Sequence, residues 1–160
     1  MKLAGCVPDP SSIPTVQIAC EFYSLASKTL ESVRESSDIH FDIAGVLAPI
    51  EGSYLSNPPR SYQSLLDEFR MICALQPEVD LLMIETMSNS TEARAACHAA
   101  KETGKLFTLG IRVEPNGLLR SGESVEELLT AVNEFEPQGY WINCSAPEDV
   151  PVALKQIAGQ

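Results

Sequence analysis

The hydrophobic and polar positions along the chain follow two repeat lengths, and their alternation predicts the order of helices and strands. Between residues 16 and 35 apolar side chains recur at helical spacing, which predicts an opening helix. Short continuous apolar runs then predict buried strands, each followed by a stretch with helical spacing. The predicted strands cover residues 43–47, 79–84, 106–113 and 140–143, and the later helices cover residues 62–75, 90–103, 125–135 and 147–157.

Capping signals mark several of these helix boundaries. Asn89 with Glu92, and Ser124 with Glu127, have the three-residue spacing of a capping box, which predicts helix starts at both places. Gly104 stands where the alanine-rich helix should end, since glycine readily takes the left-handed conformation that closes a helix.

The strand–helix order predicts an α/β fold with a parallel sheet. Continuous rather than alternating apolar runs indicate a sheet covered on both faces, either doubly wound or barrel-like. A closed eight-fold barrel takes about 250 residues, so a chain of 160 residues is expected to form about half of a TIM (β/α)8 barrel. We expect an irregular, proline-rich lead-in over residues 1–14 and one partial barrel domain over residues 15–160.

The composition of the chain disfavours or excludes several classes of protein. Lys and Arg number 11 and Asp and Glu 22, a net charge of −11 that disfavours binding to nucleic acid. Apolar residues make up 44% of the chain, too many for a disordered protein, yet no run approaches the ~18 residues that cross a membrane. Five cysteines without a CxxC pair disfavour a disulfide framework and favour a reducing, cytoplasmic location.

Polar residues follow three of the predicted strands, at the sheet edge where reactive groups gather in parallel folds. Glu85-Thr86 ends the second strand, Asn143-Cys144-Ser145 ends the fourth, and residues 45–49 end the first. A carboxylate and a thiol at one edge predict a binding site. Structural roles remain open: Cys144 as a core thiol, Glu85 as a favourable charge at a helix start, and Ser145 as a helix cap.

For the remaining candidate residues, structural roles are favoured over catalytic or binding roles. No glycine-rich phosphate loop of the GxGxxG or GxxxxGK[ST] type is present, so nucleotide-binding versions of the fold have no support. Neither histidine has a triad partner by spacing, and the tryptophan is expected to pack. The residues interpreted as structural or surface are Cys6, Cys20, Cys73, Cys97, His40, His98 and Trp141.

Four segments resemble, in order and spacing, motifs of the homocysteine S-methyltransferase family. They are residues 43–49 (Ile-Ala-Gly-Val-Leu-Ala-Pro), 79–87 with Glu92-Ala93 after them, 116–122 (Asn-Gly-Leu-Leu-Arg-Ser-Gly) and 142–147 (Ile-Asn-Cys-Ser-Ala-Pro). The resemblance covers about residues 16–160.

The resemblance implies a zinc-dependent barrel that moves a methyl group onto the sulfur of homocysteine to give methionine. By resemblance, Cys144 is the first of three cysteine ligands to zinc, and Glu85 and Asn143 are the substrate-binding residues, with a supporting role for Asn143. Zinc held by three thiolates keeps a fourth position open, where the substrate sulfur loses its proton. No further catalytic residue is assigned, and the methyl donor stays unidentified.

The chain also departs from the family pattern. The family's Gly-Gly-Cys-Cys motif is absent, and Ala48 and Trp141 stand where the family has glycine. One ligand of three cannot hold zinc tightly, so we expect an enzyme that is incomplete as this chain. The alternative is a non-catalytic half-barrel whose open edges drive self-association into a homo-oligomer. A different sugar- or phosphate-binding α/β enzyme is disfavoured, because the glycine-rich loop is missing.

Overall fold

The computed structural model describes residues 14–50 and 60–158, where helices and strands alternate as the pattern predicts. Most of the predicted lead-in and residues 51–59 of the first loop lie outside this part. The elements are α1 (Pro14–Ser36), β1 (Ala44–Leu47), α2 (Tyr62–Ala74), β2 (Leu81–Met87), α3 (Ser90–Glu102), β3 (Leu106–Ile111), α4 (Val125–Val132), a 3-10 turn (Asn133–Phe135), β4 (Tyr140–Ile142) and α5 (Val150–Ile157).

The four strands form one parallel sheet in the order β1-β2-β3-β4. Each strand therefore lies beside its predecessor, and successive right-handed crossovers carry the helices to the same face. Contacts of α2 with α3, of α3 with α4 and of α4 with α5 agree with this placement. The sequential order is that of a barrel wall rather than of a doubly wound sheet, so the predicted α/β class and partial barrel are confirmed.

The core lies between the sheet and its helices. Leu82, Ile84 and Leu109 point toward the helices and are fully buried, and the small side chains of α3 allow that helix to pack closely. The prediction that both faces are covered is wrong for the described residues. On the opposite face Val46 is 37% and Leu106 62% exposed, because the sequential strand order brings no helix to that side.

Both predicted capping signals mark helix starts: Ser124 and Glu127 form a full capping box, and Asn89 provides a side-chain cap. Ser124 Oγ accepts from Glu127 N at 3.1 Å, and Ser124 N donates to Glu127 Oε2 at 2.7 Å. Asn89 Oδ1 accepts from Glu92 N at 2.8 Å. The buried Glu92 carboxylate accepts from Asn89 Nδ2 at 3.3 Å and from Ile50 N at 2.8 Å, so it ties α3 to the loop after β1.

The other helix boundaries agree with the predicted ones in part. Gly104 follows α3 with φ 74°, the left-handed conformation predicted for it. The predicted helix 125–135 ends as a 3-10 turn, and the predicted helix 147–157 begins only at Val150, with a proline in its first turn.

Gln76 closes the outer edge of β1. Ile43 O faces β2, because it accepts a hydrogen bond from Asp80 N. The backbone groups of successive residues in a strand point to alternate sides, so Val46 N and Val46 O, three residues later, point away from β2. Val46 N donates to Gln76 Oε1 at 2.9 Å, and Gln76 Nε2 donates to Val46 O at 3.2 Å. The buried amide of Gln76 thus takes the place that a neighbouring strand would take.

Helix α1 meets the sheet through a salt bridge and exposes its apolar stripe. Arg34 Nη1 lies 2.7 Å from Asp80 Oδ2, at the start of β2. Phe22, Leu25 and Val33 are at least half exposed along the helix. None of the helices in the described ranges combines the length and the apolar character that crossing a membrane requires.

Candidate functional site

The carboxyl ends of β2 and β4 are joined across β3 by side-chain hydrogen bonds. Thr86 N donates to Asn143 Oδ1 at 3.1 Å, and Asn143 Nδ2 donates to Thr86 Oγ1 at 2.8 Å. Thr86 Oγ1 lies 3.6 Å from Cys144 Sγ, within reach of a hydrogen bond to sulfur. Two of the predicted site residues, Asn143 and Cys144, therefore contact the residue that follows the third, Glu85.

A bulge in β2 makes this arrangement possible. Between Ile84 and Met87 two residues, Glu85 and Thr86, stand opposite Gly110 alone. Thr86 has φ 59°, a left-handed conformation that is rare for a β-branched residue. The sequence predicted a strand that ends before Glu85, but β2 continues to Met87, because the bulge absorbs the extra residue and pairing resumes.

Gly110 leaves room for the ring of Trp141. A Cβ atom on Gly110 would lie 2.8 Å from Trp141 Cζ2 and 2.9 Å from Ile84 O, closer than real contacts allow. The tryptophan therefore packs on the sheet, as predicted, and its buried Nε1 has no partner among the described residues. Gly110 was not among the predicted site residues. A lone glycine within the apolar run 106–113 was its signal, since such a glycine marks close approach of other groups.

Glu85 presents a half-buried carboxylate from the bulge. Within residues 14–50 and 60–158 this carboxylate accepts no hydrogen bond and forms no ion pair. Its interpretation as a favourable charge at a helix start gains no support, because α3 begins only at Ser90 and Asn89 provides the cap.

Cys144 differs from the other described cysteines. It is exposed and has φ 51°, which excludes its interpretation as a core thiol. Cys73 and Cys97 are buried on α2 and α3, where burial raises the pKa of each thiol to about 12. These two fit the structural role predicted for them, whereas Cys6 and the side chain of Cys20 lie outside the described part of the chain.

Ser145 is not a helix cap. Its Oγ accepts from Val113 N at 2.9 Å and donates to Asn143 O at 3.0 Å, while the residue that precedes α5 is Asp149. Ser145 therefore ties the segment after β4 to the segment after β3, and it holds the backbone next to Cys144.

The end of β1 was the third predicted contributor. Ile50 N is held by Glu92. No hydrogen bond within the described residues joins residues 45–50 to Thr86, Asn143 or Cys144. The structure thus brings together the ends of β2 and β4 and leaves the end of β1 apart from that network.

Both histidines lie apart from this network. His98 Nδ1 is 2.7 Å from Tyr62 Oη, and its ring stacks between Tyr62 and Phe135, so it is a satisfied residue as predicted. His40 is exposed, with Nε2 3.9 Å from Asp42 Oδ1.

An ion-pair cluster lies after β3, at the same end of the sheet, and the sequence analysis did not identify it. Arg112 Nη1 and Arg120 Nη1 lie 2.5 Å and 3.1 Å from Glu114 Oε1. Hydrogen bonds from Arg112 and then Arg120 lower the pKa of Glu114. The cluster bridges the strand end and the loop of residues 116–122.

The described residues do not by themselves fit a metal ion. Across residues 14–50 and 60–158, no three His, Cys, Asp or Glu side chains are grouped so that they could hold one. Zinc sites use three or four protein ligands, and Cys144 is a single thiol beside a threonine hydroxyl.

Comparisons with known proteins point to one family. A family model described as homocysteine S-methyltransferase matches residues 11–160. The metallated form of the homocysteine methyltransferase MmuM from Escherichia coli is 18% identical, with a TM-score of 0.70 over 88% of this chain and 53% of that chain. Its apo form is 18% identical, with a TM-score of 0.72 over 98% of this chain and 60% of that chain. The chain thus spans little more than half the length of these structures and shares their fold.

Proposed function

Because the chain belongs to the homocysteine S-methyltransferase family, we propose that it binds homocysteine at the joined ends of β2 and β4. There it takes part in transfer of a methyl group to the homocysteine sulfur, which gives methionine. The observation that supports this most directly is the network of Thr86, Asn143 and Cys144 beside the carboxylate of Glu85, which has no partner among the described residues.

Glu85 is proposed to bind the ammonium group of homocysteine. A half-buried carboxylate without a partner among the described residues is suited to a charge-assisted hydrogen bond, which is stronger than a neutral one. Fixing the amino end of the substrate limits where its sulfur can lie, and such positioning lowers the entropic part of the barrier to transfer.

Asn143 is proposed as a support for the site. Its amide uses Oδ1 and Nδ2 for the two bonds to Thr86, so it holds the bulge that presents Glu85. This role follows from the contacts of Asn143, and a direct contact with substrate is not needed for it.

Cys144 is proposed as one thiolate ligand of a zinc ion. The other ligands would come from outside the described residues, because those residues contain no cluster that fits a metal. Zinc would supply a Lewis acid for the substrate thiol. Titration of the purified chain with zinc tests this: weaker zinc binding by Cys144→Ala than by the wild type supports the proposal, and equal binding by both proteins up to saturating zinc contradicts it.

Calorimetry with L-homocysteine tests the binding site. Glu85→Gln should weaken binding by about tenfold or more, since a hydrogen bond to a charged group contributes about 1.5–3 kcal/mol. Glu126→Gln, on the exposed face of α4, is the matched control and should bind like the wild type. An analogue without the amino group, 4-mercaptobutanoate, should bind wild type and Glu85→Gln equally. A variant that binds homocysteine as tightly as wild type would refute the role of Glu85.

Methyl transfer itself is tested by following methionine formation from homocysteine with S-methylmethionine, S-adenosylmethionine, a betaine or a methylated corrinoid as donor. A donor that supports turnover identifies the methyl source. The free thiols that the structure describes fit the reducing cytoplasm, where we propose that the reaction takes place.

Self-association is a second candidate function, and the exposed apolar surface favours it. Phe22 and Leu25 of α1 are 68% and 63% exposed, and Leu106 of β3 is 62% exposed. Sedimentation velocity at micromolar concentration should then detect a dimer or larger species, and Leu25→Glu should shift it toward the monomer. A monomer across that range would contradict this candidate.

A further inference from the structure

The direction of each hydrogen bond between Thr86, Asn143 and Cys144 is fixed by chemistry. The backbone N–H of Thr86 can only donate, so the Asn143 atom that it meets is the acceptor Oδ1. The other end of the amide, Nδ2, can only donate, so Thr86 Oγ1 accepts from it. The hydroxyl proton of Thr86 is thus left for Cys144 Sγ, at 3.6 Å.

The backbone around this network is strained in two places. Thr86 and Cys144 have φ 59° and 51°, and neither is a glycine. Left-handed residues of this kind cost free energy and persist where surrounding contacts determine them, often at functional sites. The reciprocal bonds between Thr86 and Asn143 supply such contacts, and so does Ser145 next to Cys144.

An exposed cysteine without a partner would sample several rotamers, because nothing packs around its sulfur. We propose that Thr86 is a positioning residue whose hydroxyl holds the Cys144 sulfur in one rotamer at the joined strand ends. The use of that sulfur rests on the proposed function. The orientation of the Cys144 sulfur does not rest on the proposed function, and it can be measured without substrate.

Two variants of Thr86 and one control distinguish the effect of its hydroxyl from the effect of its side-chain shape. Thr86→Val keeps the branched side chain and removes the donor, while Thr86→Ser keeps the donor. Thr108→Val is the control, since Thr108 is a half-buried threonine on β3. NMR of the 17.4 kDa chain gives the Hα–Hβ couplings of Cys144, which report its rotamer. Wild type, Thr86→Ser and Thr108→Val should have the couplings of one staggered rotamer, and Thr86→Val should have averaged couplings.

Asn143→Asp tests the same inference with Thr86 intact, in case Thr86→Val does not fold. A carboxylate can accept from both Thr86 N and Thr86 Oγ1, and it has no proton to donate back. The hydroxyl should therefore turn from Cys144 Sγ to the carboxylate, and the Cys144 couplings should again average.

Averaged couplings in Thr86→Val with rescue in Thr86→Ser support the inference, whereas unchanged couplings in Thr86→Val, or equal averaging in both variants, overturn it. If Thr86→Val does not fold, averaged couplings in Asn143→Asp support the inference and unchanged couplings there overturn it. Homocysteine titration of Glu85→Gln decides the proposed function separately, because that variant leaves Thr86, Asn143 and Cys144 in place. A failure of either proposal can thus be told from a failure of the other.

Discussion

Thr86 and Asn143 bond to each other across a strand that separates them. Thr86 lies on β2 opposite Gly110 of β3, Asn143 follows β4, and their two hydrogen bonds, of 3.1 and 2.8 Å, span β3. A side chain at that position of β3 would collide with the ring of Trp141 and with Ile84 O. Gly110 therefore leaves room for the ring of Trp141 and for the backbone of β2 just before the bulge.

Gly110→Ala should destabilise the fold by about 1–3 kcal/mol, the usual cost of overpacking a well-packed position. Chemical denaturation followed by far-UV circular dichroism measures the change in every variant, because this signal does not depend on Trp141, the chain's single tryptophan. Gly139→Ala is the control, since a Cβ there meets nothing within 4 Å. Adding Trp141→Leu to Gly110→Ala should recover part of the loss; no recovery would mean that the ring is not the obstacle.

The thiols should react in an order set by exposure. Cys144 is exposed, whereas Cys73 and Cys97 are buried with their pKa raised to about 12. Iodoacetamide at pH 8, followed by peptide mass spectrometry, should label Cys144 faster than either buried thiol, because Cys144 is exposed to the reagent and burial disfavours the reactive thiolate of the other two. In guanidinium chloride the three rates should converge. Fast native labelling of Cys97 would contradict the packing of α3.

Much of the fold could be predicted from the sequence because apolar spacing fixes which segments are helices and which are strands. The capping box of Ser124 and the left-handed Gly104 are local features, so they were predicted correctly. The end of β2 was not, since Glu85 and Thr86 look like a loop until the register with β3 is known.

The contacts within the site depend on distant parts of the chain. Thr86 and Asn143 are 57 positions apart, and no local spacing joins them. Ser145 resembles a helix cap in sequence, but its partner is Val113, after the neighbouring strand. Such contacts follow from strand order and register, which the apolar pattern alone leaves undetermined.

Asp80 should make stability depend on pH in the acid range. Its backbone hydrogen bond from Ile43 N, and then the charge of Arg34, lower the pKa of its carboxyl below the roughly 3.9 of an unfolded chain. A group whose pKa is lowered by folding stabilises the fold above its unfolded pKa and ceases to do so as the pH falls through the folded value. The stabilisation is therefore present at pH 6, begins to fall near pH 3.9 and is lost as the pH drops through the folded pKa.

Asp80→Asn should accordingly be less stable than wild type at pH 6, and the difference should shrink as the pH is lowered toward 2. Thermal unfolding across this range measures it. Asp38→Asn, at an exposed position before β1, is the control and should follow the wild-type curve. A difference between wild type and Asp80→Asn that stays constant with pH would show that the charge of Asp80 is not involved.

Gln76 should prove to be the residue that keeps β1 from pairing with another chain. Its amide satisfies Val46 N and Val46 O, and an unpaired strand edge is a template for association. Gln76→Glu retains an acceptor for Val46 N but sets a second oxygen against Val46 O, so it should lose about 1–3 kcal/mol in denaturant titrations. Gln76→Ala should lose both bonds and also sediment as larger species at concentrations where wild type does not. Gln63→Ala, on the exposed face of α2, should do neither. If Gln76→Ala is less stable but sediments like the wild type, the edge is protected by something other than this amide.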